Sequence, residues 1–168
     1  INIIDLNSDL KKDELFKNFD LVIHAAWGNL ENYNSPNHTQ KILPENFKFL
    51  KKLIFLGVKN LVVLGSCFEL GNCSGEVLES QIMKPNTLYG KAKTKLYIKL
   101  ISLQNKKKFN LTWTRIFYTY GPNQRNKSIF TQLKKFNKDN KKSVFELTDG
   151  KQLRDYMHVS TLAKKIVE

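Results

Sequence analysis

Arginine is scarce in a chain otherwise crowded with positive charge. Of 28 basic residues only Arg115, Arg125 and Arg154 are arginine; against 15 acidic residues the net charge is +13. A nucleic-acid surface favours clustered arginine and exposed aromatics. Here the lysines are scattered among abundant Asn and Ile. The densest runs, Lys106–Lys108 and "KKFNKDNKK" at 134–142, read as solvated helix ends and loops. A nucleic-acid partner is therefore disfavoured. Cysteine is almost absent: Cys67 and Cys73 lack metal-ligand spacing, and no second pair exists to complete a zinc site. With no secretory leader in sight, two cysteines fit a reducing cytoplasm. No apolar run approaches the ~20 residues of a membrane span, so no membrane association is expected. An initiator methionine is lacking too. The chain opens inside the strand-like "INIIDLNSDL" and stops at the helix-like "LAKKIVE", and both ends are expected to be cut from a longer protein.

What remains is an ordinary globular composition, 41% hydrophobic and 26% charged over 168 residues, enough for one domain with a core. Apolar strand-like runs alternate with helical ones. "INIID" reads as the end of a strand and 9–19 as a short helix. "FDLVIHAAW", "KNLVVLGS" and "LTWTRIFY" read as buried strands. "LPENFKFLKKLIFLG" has helical periodicity closed by Gly57, and 88–104 makes a long helix. Beyond the "GPN" breaker a helix is expected near 127–138, a short strand at 143–147 and a closing helix from about 160. Near-continuous Val/Ile/Leu strands alternating with helices predict an α/β fold with a parallel sheet covered on both faces. Ligands of such sheets bind beyond the carboxyl ends of the strands. His24–Gly28, Ser66–Cys67 and Tyr118–Pro122 all follow strands.

The stretch "NTLYGKAKTKL" places Tyr89 and Lys93 one helical turn apart, on one face. Two readings fit. In one, the ammonium lowers the phenol pKa from its ordinary value near 10, and the Ser66 hydroxyl holds an oxygen against the tyrosine, making a site that interconverts alcohol and ketone. In the other, an amphipathic tyrosine packs beside a snorkelling lysine on a polar helix face. Spacing alone favours the second.

The surrounding segments reverse that preference. "DLVIHAA" at 20–26, "LVVLGSCFELG" at 61–71, "YGKAK" at 89–93, "RIFYTYGP" at 115–122 and "LRDYMHVSTLA" at 153–163 follow one another in an order and at separations that resemble the extended short-chain dehydrogenase/reductases. The likeness is to their NAD-dependent epimerase/dehydratase group, which modifies nucleotide sugars. It covers nearly the whole chain. It implies a Rossmann-like doubly wound parallel sheet, incomplete at both ends, in a single domain whose substrate-binding region starts from about 120. It implies catalytic roles for Ser66, Tyr89 and Lys93, with NAD or NADP as cofactor. Asp5 and Leu6 would approach the adenine, Ala25 and Ala26 would end a strand beside the cofactor, and Tyr89 and Lys93 would touch it as well. Ser66, Cys67 and Arg154 would meet the substrate, a nucleotide-diphosphate sugar. Arg154 suits the diphosphate because a guanidinium grips phosphate bidentately; the structural alternative is a salt bridge to Asp155. The pattern places about 55 residues and a glycine-rich phosphate loop upstream of Ile1, so the chain alone is expected to hold a dinucleotide weakly and to be inactive. Homodimers through helices matching 41–56 and 88–104 are a further implication.

Within the group, 4,6-dehydratases carry an acidic pair after the catalytic hydroxyl, where this chain has Cys67 and Phe68. Epimerases place an asparagine three residues after the arginine of the sixth-strand segment; here Tyr118 stands there. The resemblance therefore leans to a 4-ketoreductase of deoxysugar pathways, ahead of a 4-epimerase and of a non-catalytic binding or regulatory relative. His24 and His158 are expected to be structural, satisfied by backbone partners. Cys67 is expected to be a small buried residue, and Trp27 and Trp113 to be packing residues, Trp27 bordering the site.

Overall fold

The computed structural model describes residues 19–124, 128–138 and 144–168. They fall into two compact units divided between Ile116 and Phe117. Expectations for "INIID" and for 9–18, and with them Asp5 and Leu6, lie outside the described residues.

The first unit is built on three parallel strands in the order β1 (Val22–His24), β2 (Asn60–Ser66), β3 (Asn110–Ile116). Val22 lies opposite Leu61, and Ser66 opposite Ile116. Between β1 and β2 runs helix α1 (Leu43–Phe55), entered through a π-helical turn, His38–Ile42. Pro44 sits in its first turn, where a missing N–H costs nothing. The helix stops at a Schellman motif: Gly57 takes φ 103°, its N–H bonds the Ile54 carbonyl, and the Val58 N–H bonds the Leu53 carbonyl.

Helix α2 (Leu88–Gln104) joins β2 to β3, and the Thr87 hydroxyl caps it by accepting from Gly90 N at 3.0 Å. Its buried face runs Tyr89, Ala92, Lys93, Leu96, Leu100, Leu103. The last two turns of that stripe meet Leu50, Leu53 and Ile54 of α1 and Leu61 and Val63 of β2 in one apolar core. Tyr89 and Lys93 thus occupy the N-terminal end of the face that builds the core. Because Leu96 is fully buried there, Leu96→Ala is expected to cost about 2–5 kcal/mol, read as a lower urea midpoint of the full-length protein. A loss under 1 kcal/mol would mean that α2 does not pack as described.

The second unit pairs two short parallel strands, β4 (Tyr118–Tyr120) and β5 (Tyr156–His158), with helices α3 (Ile129–Lys138) and α4 (Val159–Val167). His158 caps α4, its Nδ1 lying 2.7 Å from Ser160 Oγ and accepting from Ser160 N. Side chain and backbone of Ser160 together satisfy it.

Three strand expectations need correction. No strand forms over 144–147, where Val144 is 87% exposed and only Phe145 is seen in ring contact, with Phe136. "FDLVIHAAW" contributes only three strand residues, and Ile23 is 38% exposed, because among the described residues β1 has a neighbour on one side only. The "LTWTRIFY" run is half-buried rather than buried and breaks after Ile116, with Tyr118 beginning a strand of the second unit.

Candidate active site

Ser66 is the last residue of the central strand β2, buried, at the carboxyl edge of the parallel sheet. The chain turns there into a short 3₁₀ segment, Cys67–Glu69, through a capping box. Ser66 Oγ accepts from Phe68 N at 3.3 Å, and Glu69 Oε1 accepts from Ser66 N at 2.7 Å. That turn supports the start of α2. A β-carbon on Gly90 would collide with the Phe68 carbonyl, so glycine beside Tyr89 allows helix and turn to touch. From the other side, the loop after β1 grips the same helix end: Tyr89 N bonds the Tyr33 carbonyl at 2.8 Å and Leu88 N the Asn34 Oδ1 at 3.4 Å.

Tyr89 is consequently walled by aromatics. Its ring centroid lies 5.2 Å from Tyr33, 5.4 Å from His38, 5.8 Å from Phe68 and 6.0 Å from Trp27. Burial pushes its pKa up to about 12, with the neighbouring Ser66 hydroxyl pulling in the opposite direction. The expected lowering by Lys93 is not found: desolvation outweighs every attraction, and the Lys93 ammonium lies 6.0 Å from the ring centre.

Lys93 does not snorkel. It is 3% exposed, donates from Nζ to the Leu64 carbonyl of β2 at 2.7 Å, and lies 4.2 Å from the Trp27 ring centre. Burial lowers its pKa to about 8, partly offset by the Glu69 charge. Trp27 is held over it by a bond from its Nε1 to His38 Nδ1 at 3.2 Å, and His38 Nε2 meets the Asn32 carbonyl at 2.9 Å. Trp27 therefore borders the site as well as packing.

The structure thus brings Ser66, Tyr89 and Lys93 together in the first unit. Ala25 and Ala26 follow β1 at the same sheet edge, exposed and half-buried respectively. Cys67 is half-buried rather than buried, and desolvation raises its thiol pKa. His24 departs further from expectation: among the described residues both ring nitrogens and Asn46 Oδ1 are buried without a hydrogen-bond partner of good geometry. Asn46 stands near enough to favour the charged ring slightly, but no hydrogen bond of acceptable geometry joins them. Burial, then the Lys93 charge, lowers the His24 pKa to about 4 and keeps it neutral. Arg154 belongs to the second unit, exposed, its guanidinium 5.3 Å from the Tyr118 ring centre and bonded to the Leu153 carbonyl. Among the described residues no ion pair links it to Asp155.

Sequence reasoning missed Glu69, fully buried below Ser66, although "SCFE" carries the capping-box spacing that would have pointed to it. No three His, Cys, Asp or Glu side chains among the described residues could hold a metal ion, and no described helix is long and apolar enough to cross a membrane.

A strand-end hydroxyl beside a helical tyrosine and lysine lies at the carboxyl edge of the parallel sheet, and the chain as a whole is similar to known proteins. The model of the NAD dependent epimerase/dehydratase family matches residues 1–167. The chain belongs to that family. Among curated relatives it is 30% identical over 162 residues to the dTDP-6-deoxy-L-talose 4-dehydrogenase (NAD(+)) of Aggregatibacter actinomycetemcomitans, covering 96% of this chain and 59% of that one. Among solved structures it resembles MoeE5 in complex with UDP-glucose and NAD, at 26% identity and TM-score 0.76, over 97% of this chain and 56% of that one. A UDP-N-acetylglucosamine 4-epimerase from Methanobrevibacter ruminantium M1 shares the fold, with TM-score 0.81 at 22% identity over 98% and 55% of the two chains. The fold of this family member is the Rossmann-like parallel α/β arrangement, and the chain spans a little over half the length of these relatives.

Proposed function

We propose that the whole protein is an NAD(P)-dependent enzyme of nucleotide-diphosphate sugars, and that its reaction is the reduction of a 4-keto-6-deoxyhexose. One observation carries the reading: Ser66, Tyr89 and Lys93 share a buried corner at the carboxyl end of β2, where such sheets bind ligands. Ala25 and Ala26 put only small side chains where the chain leaves β1, one exposed and one half-buried, and in that respect the described residues fit a nicotinamide. When bound, that group supplies or accepts the hydride at the sugar carbon. The chain's own residues handle the oxygen. Ser66 Oγ holds it, and Tyr89 gives it a proton as the carbonyl becomes an alcohol. A phenol with a raised pKa stands protonated at neutral pH, as the reductive direction requires.

Lys93 sets the charge behind Tyr89, and Asp5, Leu6, Ala25 and Ala26 complete the cofactor's surroundings. Cys67 flanks the substrate. Arg154, free of Asp155, is assigned to the diphosphate. Two features favour reduction over epimerisation: Tyr118 in place of an epimerase asparagine, and the talose dehydrogenase relative, whose named reaction is oxidation at the same carbon. Work in the cytoplasm as a homodimer through α1 and α2 belongs to the same proposal.

The full-length protein, given NADH or NADPH and a dTDP-4-keto-6-deoxyhexose, is expected to consume reduced nicotinamide one-for-one with sugar. Interconversion of 4-epimers without net nicotinamide consumption would replace the reductase with an epimerase. Absence of both, with no binding of nucleotide sugars, would leave a non-catalytic relative.

A further inference from the structure

Glu69 is a carboxylate with no exposed surface, three residues after the proposed catalytic serine, and it accepts from three donors. Oε1 takes the Ser66 N–H at 2.7 Å. Oε2 takes the Trp113 Nε1–H at 2.9 Å and, at 3.4 Å, the Arg115 Nε–H, both from β3. Gly65 makes room for this: a β-carbon there would collide with the Trp113 indole nitrogen and crowd Glu69 Oε1. Burying a carboxylate is costly unless it is paired and hydrogen-bonded, and an apolar side chain would close a plain strand end at less cost. Both oxygens act as acceptors, as suits a carboxylate; burial raises the Glu69 pKa, and the bonds from Trp113 and Ser66 N and the Arg115 charge pull it back down. Being fully buried, it reaches no ligand. Its hydrogen-bonded link toward the chemistry is through Ser66, while its charge acts at longer range on Lys93 and Tyr89.

We propose that Glu69 is the positioning residue of the site, tying the Ser66 backbone to Trp113 and Arg115 of β3 so that the serine hydroxyl is held against Tyr89. The proposal rests on the reading of Ser66, Tyr89 and Lys93 given above. The tie acts where the chain leaves the sheet, so without it the Gly65–Ser66 peptide is free to rotate and Oγ to drift from the substrate oxygen. A displacement approaching 1 Å costs on the order of 10²-fold in rate.

Glu69→Gln keeps the shape but replaces one acceptor oxygen with an NH₂ group. In either amide orientation at least one of the three donors then faces another donor. In the full-length enzyme this change is expected to lower kcat about 10- to 100-fold while KM for the nucleotide sugar stays within about threefold. The discriminating measurement is a cycle with Ser66→Ala. If Glu69 acts through Ser66, Glu69→Gln lowers kcat by less than about threefold once the hydroxyl is gone. Equal losses in both backgrounds would mean a structural or electrostatic role independent of Ser66 and overturn the proposal, as would an unchanged kcat in Glu69→Gln beside a reduced one in Ser66→Ala. An unchanged kcat in Ser66→Ala would overturn the reading of the site, and the proposal with it. Should Glu69→Gln fail to fold, Glu69→Asp carries the same cycle, since it keeps the charge but withdraws it by one methylene from Ser66 N.

Discussion

On the proposed reading, Tyr89→Phe in the full-length protein is expected to lower kcat by about 10²- to 10⁴-fold, the range for removing a positioned general acid, with nucleotide-sugar affinity changed less than about threefold. The contrast follows from how the ring is held. Tyr33, His38, Phe68 and Trp27 wall its faces and edges, and its backbone is tied to the Tyr33 carbonyl. All of these contacts survive in phenylalanine. Only the hydroxyl and its exchange with Ser66 are lost, so stability should change by no more than about 1 kcal/mol. Turnover and calorimetric titration on the same preparation separate the two effects. A loss of kcat under tenfold would remove Tyr89 from proton transfer and return it to packing.

How far this site was legible in the sequence depended on the length of each signal. Helix α2 was expected over 88–104 and is found at Leu88–Gln104, a stretch of seventeen residues without proline. Gly57 was readable because a Schellman stop demands its backbone. The serine, tyrosine and lysine emerged from the order of motifs, not from spacing, since a tyrosine and lysine four apart occur on many exposed helices. What the sequence withheld was burial. Nothing in "YGKAK" tells that the lysine aims inward beneath Trp27, a residue 66 positions earlier, or that desolvation reverses the expected direction of the Tyr89 shift. The three-residue strand β5 and its partner β4 were illegible for another reason: three residues carry too little period to register, and their pairing spans the length between Tyr118 and Tyr156. The absence of a strand at 144–147 was equally hidden, because alternation predicts a strand only where another strand pairs with it, and none of the described residues does so here.

Lys93→Met gives the sharpest test of whether the lysine is buried to be used. An unfolded lysine loses its proton near 10.5, whereas Lys93 in the fold does so at about 8. The folded state binds this proton less readily than the unfolded chain. The stability associated with Lys93 is therefore complete above pH 10.5, is lost as the pH falls toward 8, and stays lost below. The difference across that window is on the order of 3 kcal/mol. Methionine fills similar space and does not titrate. Measured by urea unfolding of both full-length proteins from pH 7 to 10, the advantage of Lys93→Met over the parent should shrink steadily as pH rises. The rest of the sequence is identical in the two proteins, so its own pH dependence largely cancels from that difference. At pH 7 the advantage is reduced by the Leu64 carbonyl, which loses the Lys93 donor. Turnover should fall together with the gain in stability, because the charge behind Tyr89 has gone. A flat difference would mean a lysine with an ordinary pKa, solvated as a snorkelling side chain is. A falling difference joined to lost turnover would mean that the fold bears the cost of a buried ammonium because the reaction uses it.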